Sequence, residues 1–475
     1  MRIIGRELEQ EVLRRCYESG RPEFLAVYGR RRVGKTFLIR EYFSKDIVFT
    51  FTGSEKASMA RQLSNFTELL RDHGVQVQGT VGDWYEAFRY LKKIISDADV
   101  SRKVVFIDEL PWLATPKSEF VAALEFFWNS WGSAREDLLL IVCGSATSWI
   151  IDNVIHEHGG LYGRITRQLC LEPFSLSDCE AYFKNRGIEL SRYQIAELYM
   201  VLGGIPYYLN YVDKGLSPAQ CIDLMFFSKK APLQREYRDL FASLFRNPQK
   251  HLIIIETLST NSKGMTRDEL IKKSCISSGG QLTKALEELE QCGFIEVTRD
   301  FMRPVREPLY QVVDFFTLFY LRYLKSGTVS DARFWQNKSH KGEQLSWYGL
   351  AFERLCRSHV LQIKQRLGIA GVSTDTCVWR SRKYNPGTQI DLVINREDNI
   401  INLCEMKFSA SAYEIDKAYD ARLRERKELF RRETETKKAL HTTMVTTYGI
   451  SRNAYYGEVQ SEVTLDDLFL PLLPL

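Results

Sequence analysis

The sequence predicts a multidomain α/β protein whose first domain is a parallel sheet carrying a phosphate-binding loop. Three observations predict it. An apolar strand, Phe24 to Tyr28, runs into Gly29-Arg30-Arg31-Arg32-Val33-Gly34-Lys35-Thr36 and then into a helical stretch, Phe37 to Phe43. A second apolar strand, Lys103 to Glu109, ends in two carboxylates. A third, Leu138 to Cys143, ends in Gly144-Ser145-Ala146-Thr147. Strands that are apolar on both faces, with helical sequence between them, belong to parallel sheets covered on both sides.

At 475 residues the chain has room for about three domains. A content of 44% hydrophobic and 26% charged residues excludes wholesale disorder. No apolar run is long enough to span a bilayer, so no membrane association is expected. Arg2, Arg6, Glu7 and Glu9 argue against a signal peptide. Ten cysteines without a CxxC pair suit a reducing cytoplasm, the expected location. A net charge of +5 permits nucleic acid as a partner without demanding it.

The first segment has the spacing GxxxxGK[ST] in strand–loop–helix context. Its glycines let backbone N–H groups turn in around phosphates, and the helix N-terminus adds positive potential. Gly29 through Phe37 is therefore the expected nucleotide cradle. Lys35 is expected to hold the β- and γ-phosphates, and Thr36 to give its hydroxyl to Mg²⁺. Asp108, at a strand end, is the second expected Mg²⁺ residue. Its neighbour Glu109 is the expected general base for the attacking water. Ser145 sits where parallel sheets bind ligands. It reads either as a sensor of the γ-phosphate or lytic water, or as a strand cap.

The ordered set GRRRVGKT, VVFIDELPWL, LLLIVCGSATSW and GRITRQLCLEPFS resembles the prokaryotic AAA+/STAND-type ATPases often called archaeal ATPases. Gly203-Gly204-Ile205-Pro206 resembles their GGxP motif, which lies in a helical lid near the adenine. The resemblance covers about the first 240 residues. It implies ATP as the nucleotide, a five-stranded core sheet, a helical lid and Pro206 as a cofactor-binding residue. It also implies that Arg164, in Tyr162-Gly163-Arg164, acts on the γ-phosphate, from within the chain or from a neighbour in a homo-oligomer. The alternative for Arg164 is a surface salt bridge. His156 and His158 form an HxH that reads as a helix end rather than a metal site.

Residues 171–245 read as the lid, with Ser175 or Ser177 as an N-cap. Residues 246–325 read as three helices and a hairpin, which resembles a winged helix-turn-helix. The helices are placed near Lys250 to Leu258, after a capping box at Thr266 and Glu269, and at Gln281 to Gln291. Strands begin at Gly293 and at Leu309. The would-be recognition helix carries Lys284 against Glu287, Glu288 and Glu290, a poor surface for DNA phosphates. Basic residues lie instead in the wing, at Arg299, Arg303 and Arg306. Packing on other domains or on a protein partner is thus the favoured role. The aromatic helix Asp314 to Leu324 reads as a docking surface, and residues 326–344 as a polar linker.

The last domain, residues 345–475, is expected to open with an amphipathic helix, Leu345 to Leu367, containing Glu353. Strands follow at Gln389 to Ile394 and Ile400 to Lys407. If they pair as a hairpin about Asp398, Asp391 lies opposite Glu405, and Lys407 shares that face. Paired carboxylates favour a shared Mg²⁺ or Mn²⁺. The D-x13-E-x-K pattern resembles the PD-(D/E)XK nuclease superfamily, with its restriction-endonuclease-like α/β fold, although Ile390 stands where a Pro is usual. The resemblance implies that Glu353, Asp391 and Glu405 are metal ligands, that Lys407 is catalytic, and that DNA or RNA is the substrate. Lys417 could contact substrate phosphate. The helix Asp416 to Lys438 has nine basic and six acidic residues, a pattern of a solvated face or of a backbone-tracking one.

The expectation is an ATP-binding and hydrolysing switch that controls a metal-dependent nuclease-like domain. Its alternative is the same switch with an inactive nuclease-like domain. A translocase or chaperone motor is a third, weaker reading.

Overall fold

The computed structural model describes residues 3–115, 117–155, 161, 163–245, 247–301, 307–327, 331–338, 341–381 and 388–471. His156, His158, Arg303 and Arg306 lie outside them. The chain divides into two compact units, residues 1–173 and 174–475. Among the described residues, no helix is long and apolar enough to cross a membrane.

The first unit is built on β1 (Glu23–Tyr28), β2 (Ile47–Thr52), β3 (Lys103–Asp108), β4 (Leu138–Cys143) and β5 (Arg167–Cys170). They form one parallel sheet in the order β2-β3-β4-β1-β5. Every residue of β3 and β4 is buried, including the charged Lys103 and Asp108 that begin and end β3. One face of the sheet packs on an aromatic core in which Trp84 meets Phe66 and Phe120 edge-on, at 5.8 and 4.8 Å between centroids. Such pairs add to plain area burial. Ser58 and Asp83 cap the helices Met59–Asp72 and Trp84–Asp97.

In the second unit, Ser175 caps the helix Leu176–Asn185 and Ser191 the helix Arg192–Leu202, each in a capping box. Gly203 then ends the latter helix with φ 70°. Gly204 follows at φ 67°, where a Cβ would lie 2.3 Å from the Phe174 carbonyl oxygen. Pro206 opens the short helix Pro206–Leu209. Three further helices, Gln249–Ser259, Arg267–Ser274 and Gly280–Gln291, precede β6 (Ile295–Thr298) and β7 (Leu309–Val312), which pair antiparallel. Thr266 and Glu269 form the expected capping box.

The aromatic helix, Phe315–Tyr323, is the hub of this unit. Its Tyr320 stacks on Tyr237 at 4.4 Å, and Phe319 meets both Trp335 and Trp347. The stretch expected as a polar linker is therefore not a free tether. It contains the helix Phe334–Asn337, whose Trp335 is fully buried. The backbone N–H of Trp335 donates to Asp223 at 2.7 Å, and both Gln336 N–H groups reach the other oxygen. Polar composition concealed one buried anchor.

The helix expected over 345–367 is two, Gly342–Ser358 and Val360–Arg366, broken at His359. Then come β8 (Thr374–Arg380), β9 (Gln389–Arg396), β10 (Ile400–Lys407), the helix Lys417–Thr434, β11 (Ala439–Thr446) and β12 (Ser461–Thr464). The sheet runs β12-β11-β10-β9-β8. Its β8–β9 and β9–β10 pairs are antiparallel, and the other two are parallel. The parallel β10–β11 step needs a crossover, and Lys417–Thr434 supplies it.

His359 explains the helix break. It is buried, and its Nε2 accepts the backbone N–H of Leu176 at 3.2 Å while Nδ1 lies 2.9 Å from the Leu355 carbonyl oxygen. This arrangement requires the neutral ring. Burial pushes its pKa down to about 4, against a partial opposing pull from the Leu355 carbonyl and Asp178. The folded pKa lies below the unfolded value of about 6.5. Its contribution is thus complete above pH 6.5 and is lost as pH falls toward 4, for about 3 kcal/mol in all. Urea unfolding at pH 7 and pH 5 should show about 2 kcal/mol of that loss, and His359→Gln should flatten it.

Candidate functional site

The parallel register brings the carboxyl ends of β1, β3 and β4 to one edge. Val27 pairs with Cys143 and Ile107 with Val142, so the segments that follow emerge side by side. At the end of β1, Gly29 has φ 129°, and a Cβ there would lie 2.4 Å from the Leu171 carbonyl oxygen. Only glycine lets the loop pass that close. Gly34 caps the helix Lys35–Tyr42 at φ 95°. Lys35 is buried, and its ammonium donates to the Gly29 and Arg30 carbonyls at 2.8 Å each. Arg30 and Val33 are buried, Arg31 and Arg32 half-buried, and Phe37 is exposed.

Thr36 Oγ1 donates to Asp108 Oδ2 at 2.8 Å. The other Asp108 oxygen accepts the N–H of Glu109 at 2.9 Å. A hydroxyl and a carboxylate held together are a hard-oxygen donor set that fits Mg²⁺. Glu109 adopts φ 50°, ψ 44°, a left-handed conformation that is costly for a residue with a side chain. Neighbouring backbone makes room for it, because a Cβ on Gly53 would lie 2.5 Å from the Glu109 carbonyl oxygen. Its Oε1 accepts the Ser145 hydroxyl at 2.7 Å. Lys35, Thr36, Asp108, Glu109 and Ser145 are thus brought together, and Ser145 acts on the acid beside it rather than as a bare strand cap.

Arg164 is not part of this group. Thr166, two residues on, bonds through its backbone and side chain to Phe24, near the amino end of β1. A six-residue strand spans roughly 17–20 Å. The within-chain role for Arg164 is therefore removed, because the sheet's length separates it from Lys35. Arg6 was missed by the sequence reading. It is buried, pairs with Glu9, and donates to the Val33 carbonyl of the loop at 3.2 Å. Nothing local in the sequence distinguishes it from surface arginines.

In the C-terminal sheet the β9–β10 register reaches Cys404 opposite Leu392, and one step further sets Glu405 opposite Asp391. This is the alignment that a turn about Asp398 predicts. Glu353, on the helix Gly342–Ser358, is near enough to Asp391 and Lys407 to feel both charges. Burial, with Asp391 adding to it, pushes the Glu353 carboxyl up to about 7. Burial also raises Asp391 and lowers Lys407. Glu405 turns elsewhere. One oxygen ion-pairs with Arg426 Nη1, and the other accepts the Tyr419 hydroxyl at 3.0 Å. Among the described residues no group of three or more His, Cys, Asp or Glu side chains is placed to hold a metal ion. The expected ligand set of Glu353, Asp391 and Glu405 is near-neighbour in space but is not gathered as a cage.

A five-stranded parallel sheet whose GxxxxGKT loop faces an Asp-Glu strand end defines a P-loop nucleotide-hydrolase fold. Residues 4–212 match the family model described as an ATPase domain predominantly from Archaea. Across the chain, the protein MJECL04 of Methanocaldococcus jannaschii is 22% identical over 419 residues, 86% of this chain and 87% of that one. That match runs well beyond the ATPase domain. Among solved structures, the Walker-type ATPase PABY2304 of Pyrococcus abyssi is 17% identical, spanning 67% of this chain and 96% of that one, with a TM-score of 0.45. Cdc6p of Pyrobaculum aerophilum is 15% identical, spanning 69% and 96%, with a TM-score of 0.33.

The Ser145–Glu109 bond yields a test. Removing the hydroxyl by Ser145→Ala leaves a strained Glu109 without its side-chain anchor. The expected result is a fall of about tenfold in the ATP turnover rate with little change in nucleotide affinity. Steady-state hydrolysis and equilibrium nucleotide binding, measured on the same protein, separate the two.

Proposed function

We propose that the chain is an ATP-driven switch whose nucleotide state governs a C-terminal domain that acts on nucleic acid. The observation that carries this reading is the convergence of Lys35, Thr36, Asp108, Glu109 and Ser145 at one edge of the parallel sheet. Lys35 and the loop N–H groups hold the phosphates. A Mg²⁺ held by Thr36 and Asp108 would neutralise charge on the β- and γ-oxygens. Glu109 takes a proton from water, whose oxygen attacks the γ-phosphorus as the bond to the bridging oxygen of the leaving ADP breaks, and Ser145 keeps the carboxylate aimed. Arg164 contributes from a neighbouring copy in a homo-oligomer, a role that its place at the far end of the sheet supports. The site of action is the cytoplasm.

Transmission is supported by contacts inside the second unit. Tyr193, on the helix Arg192–Leu202, stacks on Phe408 at 4.8 Å and on Tyr448 at 5.9 Å. Phe408 directly follows Lys407. Movement of the lid would thereby reach the end of β10. The winged-helix-like module is assigned to packing or to a protein partner, since Glu287, Glu288 and Glu290 repel a phosphate backbone. Arg299 is already within 3.6 Å of Asp375.

For the effector, the opposition of Asp391 and Glu405 beside Lys407 supports a nuclease-like site, which would take Mg²⁺ or Mn²⁺ only once Glu405 is released from Arg426. The ion pair of Glu405 with Arg426 favours a second reading, in which the domain binds nucleic acid without cutting it.

Purified protein should hydrolyse ATP. Lys35→Ala should abolish binding and hydrolysis, whereas Glu109→Gln should retain binding and lose about 100-fold or more in turnover. The same preparation is then offered plasmid, single-stranded DNA and RNA with Mg²⁺ or Mn²⁺, with and without ATP. Cleavage that disappears in Asp391→Ala/Glu405→Ala supports the nuclease. Intact substrate beside active ATP hydrolysis supports the non-cutting switch.

A further inference from the structure

The nuclease resemblance implies a divalent cation at Asp391 and Glu405, and the side chains present do not fit one. Glu405 is 8% exposed, so its charge needs a partner inside the fold. That partner is a guanidinium. Arg426, from the middle of the crossover helix Lys417–Thr434, pairs with Oε1, and the Tyr419 hydroxyl takes Oε2. Both oxygens are engaged. Asp391 Oδ1 accepts the Gln389 amide. Arg426 also lies within electrostatic reach of Asp391, as do Arg357, Lys263 and Lys407. A magnesium ion needs oxygen ligands at about 2.0–2.1 Å in near-octahedral order. Here it would sit against a cation already bound to the same carboxylate.

We propose that Arg426 is a built-in counter-ion that takes the place of a divalent metal at the C-terminal site. The positive charge that Asp391 and Glu405 require comes from the crossover helix, so in this conformation the site excludes Mg²⁺ and Mn²⁺. The inference rests on the reading of this domain as nuclease-like. Opening the site requires Arg426 to leave Glu405. Tyr419 lies seven residues earlier on the crossover helix and bonds to the same carboxylate.

The test is Mn²⁺ binding to the full-length, nucleotide-free protein, followed by electron paramagnetic resonance of free Mn²⁺. Wild type should show no Mn²⁺ site that depends on Glu405. Arg426→Gln should gain one, at least tenfold tighter than any wild-type binding, and Arg426→Gln/Glu405→Gln should lose it. Arg426→Lys keeps the charge and should bind Mn²⁺ no better than wild type. Wild-type binding that vanishes in Glu405→Gln would overturn the proposal while strengthening the nuclease reading. That arm needs no change at Arg426 and so survives misfolding of the arginine variants. A folded Arg426→Gln protein that still takes up no Mn²⁺ would overturn the proposal and the metal reading together.

Discussion

The ATPase site depends on one constraint, the in-register ending of buried parallel strands. Hydrogen bonding along β3, β4 and β1 lines up their carboxyl ends, and each strand delivers a different chemical group to that edge. Strand β1 delivers the loop with Lys35 and Thr36, β3 delivers Asp108 and Glu109, and Gly144-Ser145 follows β4. The Thr36–Asp108 and Ser145–Glu109 bonds, at 2.8 and 2.7 Å, are consequences of that alignment. The burial that makes the strands apolar also makes the edge precise, because close-packed interiors do not slide. Local cost is tolerated for it, as the left-handed Glu109 shows.

The second unit is organised differently. Its centre is an aromatic helix rather than a sheet. Phe315–Tyr323 is buried along nearly its whole surface and gathers rings from segments far apart in sequence. Such a hub makes separate domain boundaries a poor description of residues 174–475. The lid helices, the hairpin β6–β7 and the helix Gly342–Ser358 share one interior. His359 and Trp335 are two of the groups that tie it together, one through the backbone N–H of Leu176 and one through Asp223. Tyr193, on the helix Arg192–Leu202, stacks directly on Phe408 just past the end of β10.

Legibility in the sequence followed burial and locality. The strands β1, β3 and β4 were readable because parallel, two-sided burial writes unbroken apolar runs. Strands β9 and β10 were readable with their register, because a short odd turn leaves one pairing that puts Asp391 across from Glu405. Strands β8, β11 and β12 escaped notice. Thr374-Asp375-Thr376 and the Thr-rich β11 carry polar side chains that disguise them, though their β-branched residues were a usable sign. The break at His359 also escaped, since the apolar spacing continues through it and the partner of the imidazole lies 183 residues away. Arg6 and Arg426 are of the same kind. Each is one arginine among many, and its role comes from a contact that no local pattern encodes.

The sequence by itself determined the phosphate loop, the acid pair that faces it, and the alternation that puts Asp391 and Glu405 on one face. These follow from backbone geometry over a few residues, where spacing dictates direction. Only the tertiary structure decided which charge answers each carboxylate. It put Arg164 at the wrong end of the sheet for its own nucleotide, and it gave Glu405 to Arg426. Charge partners are chosen by three-dimensional proximity and desolvation, and those appear only when the elements have packed.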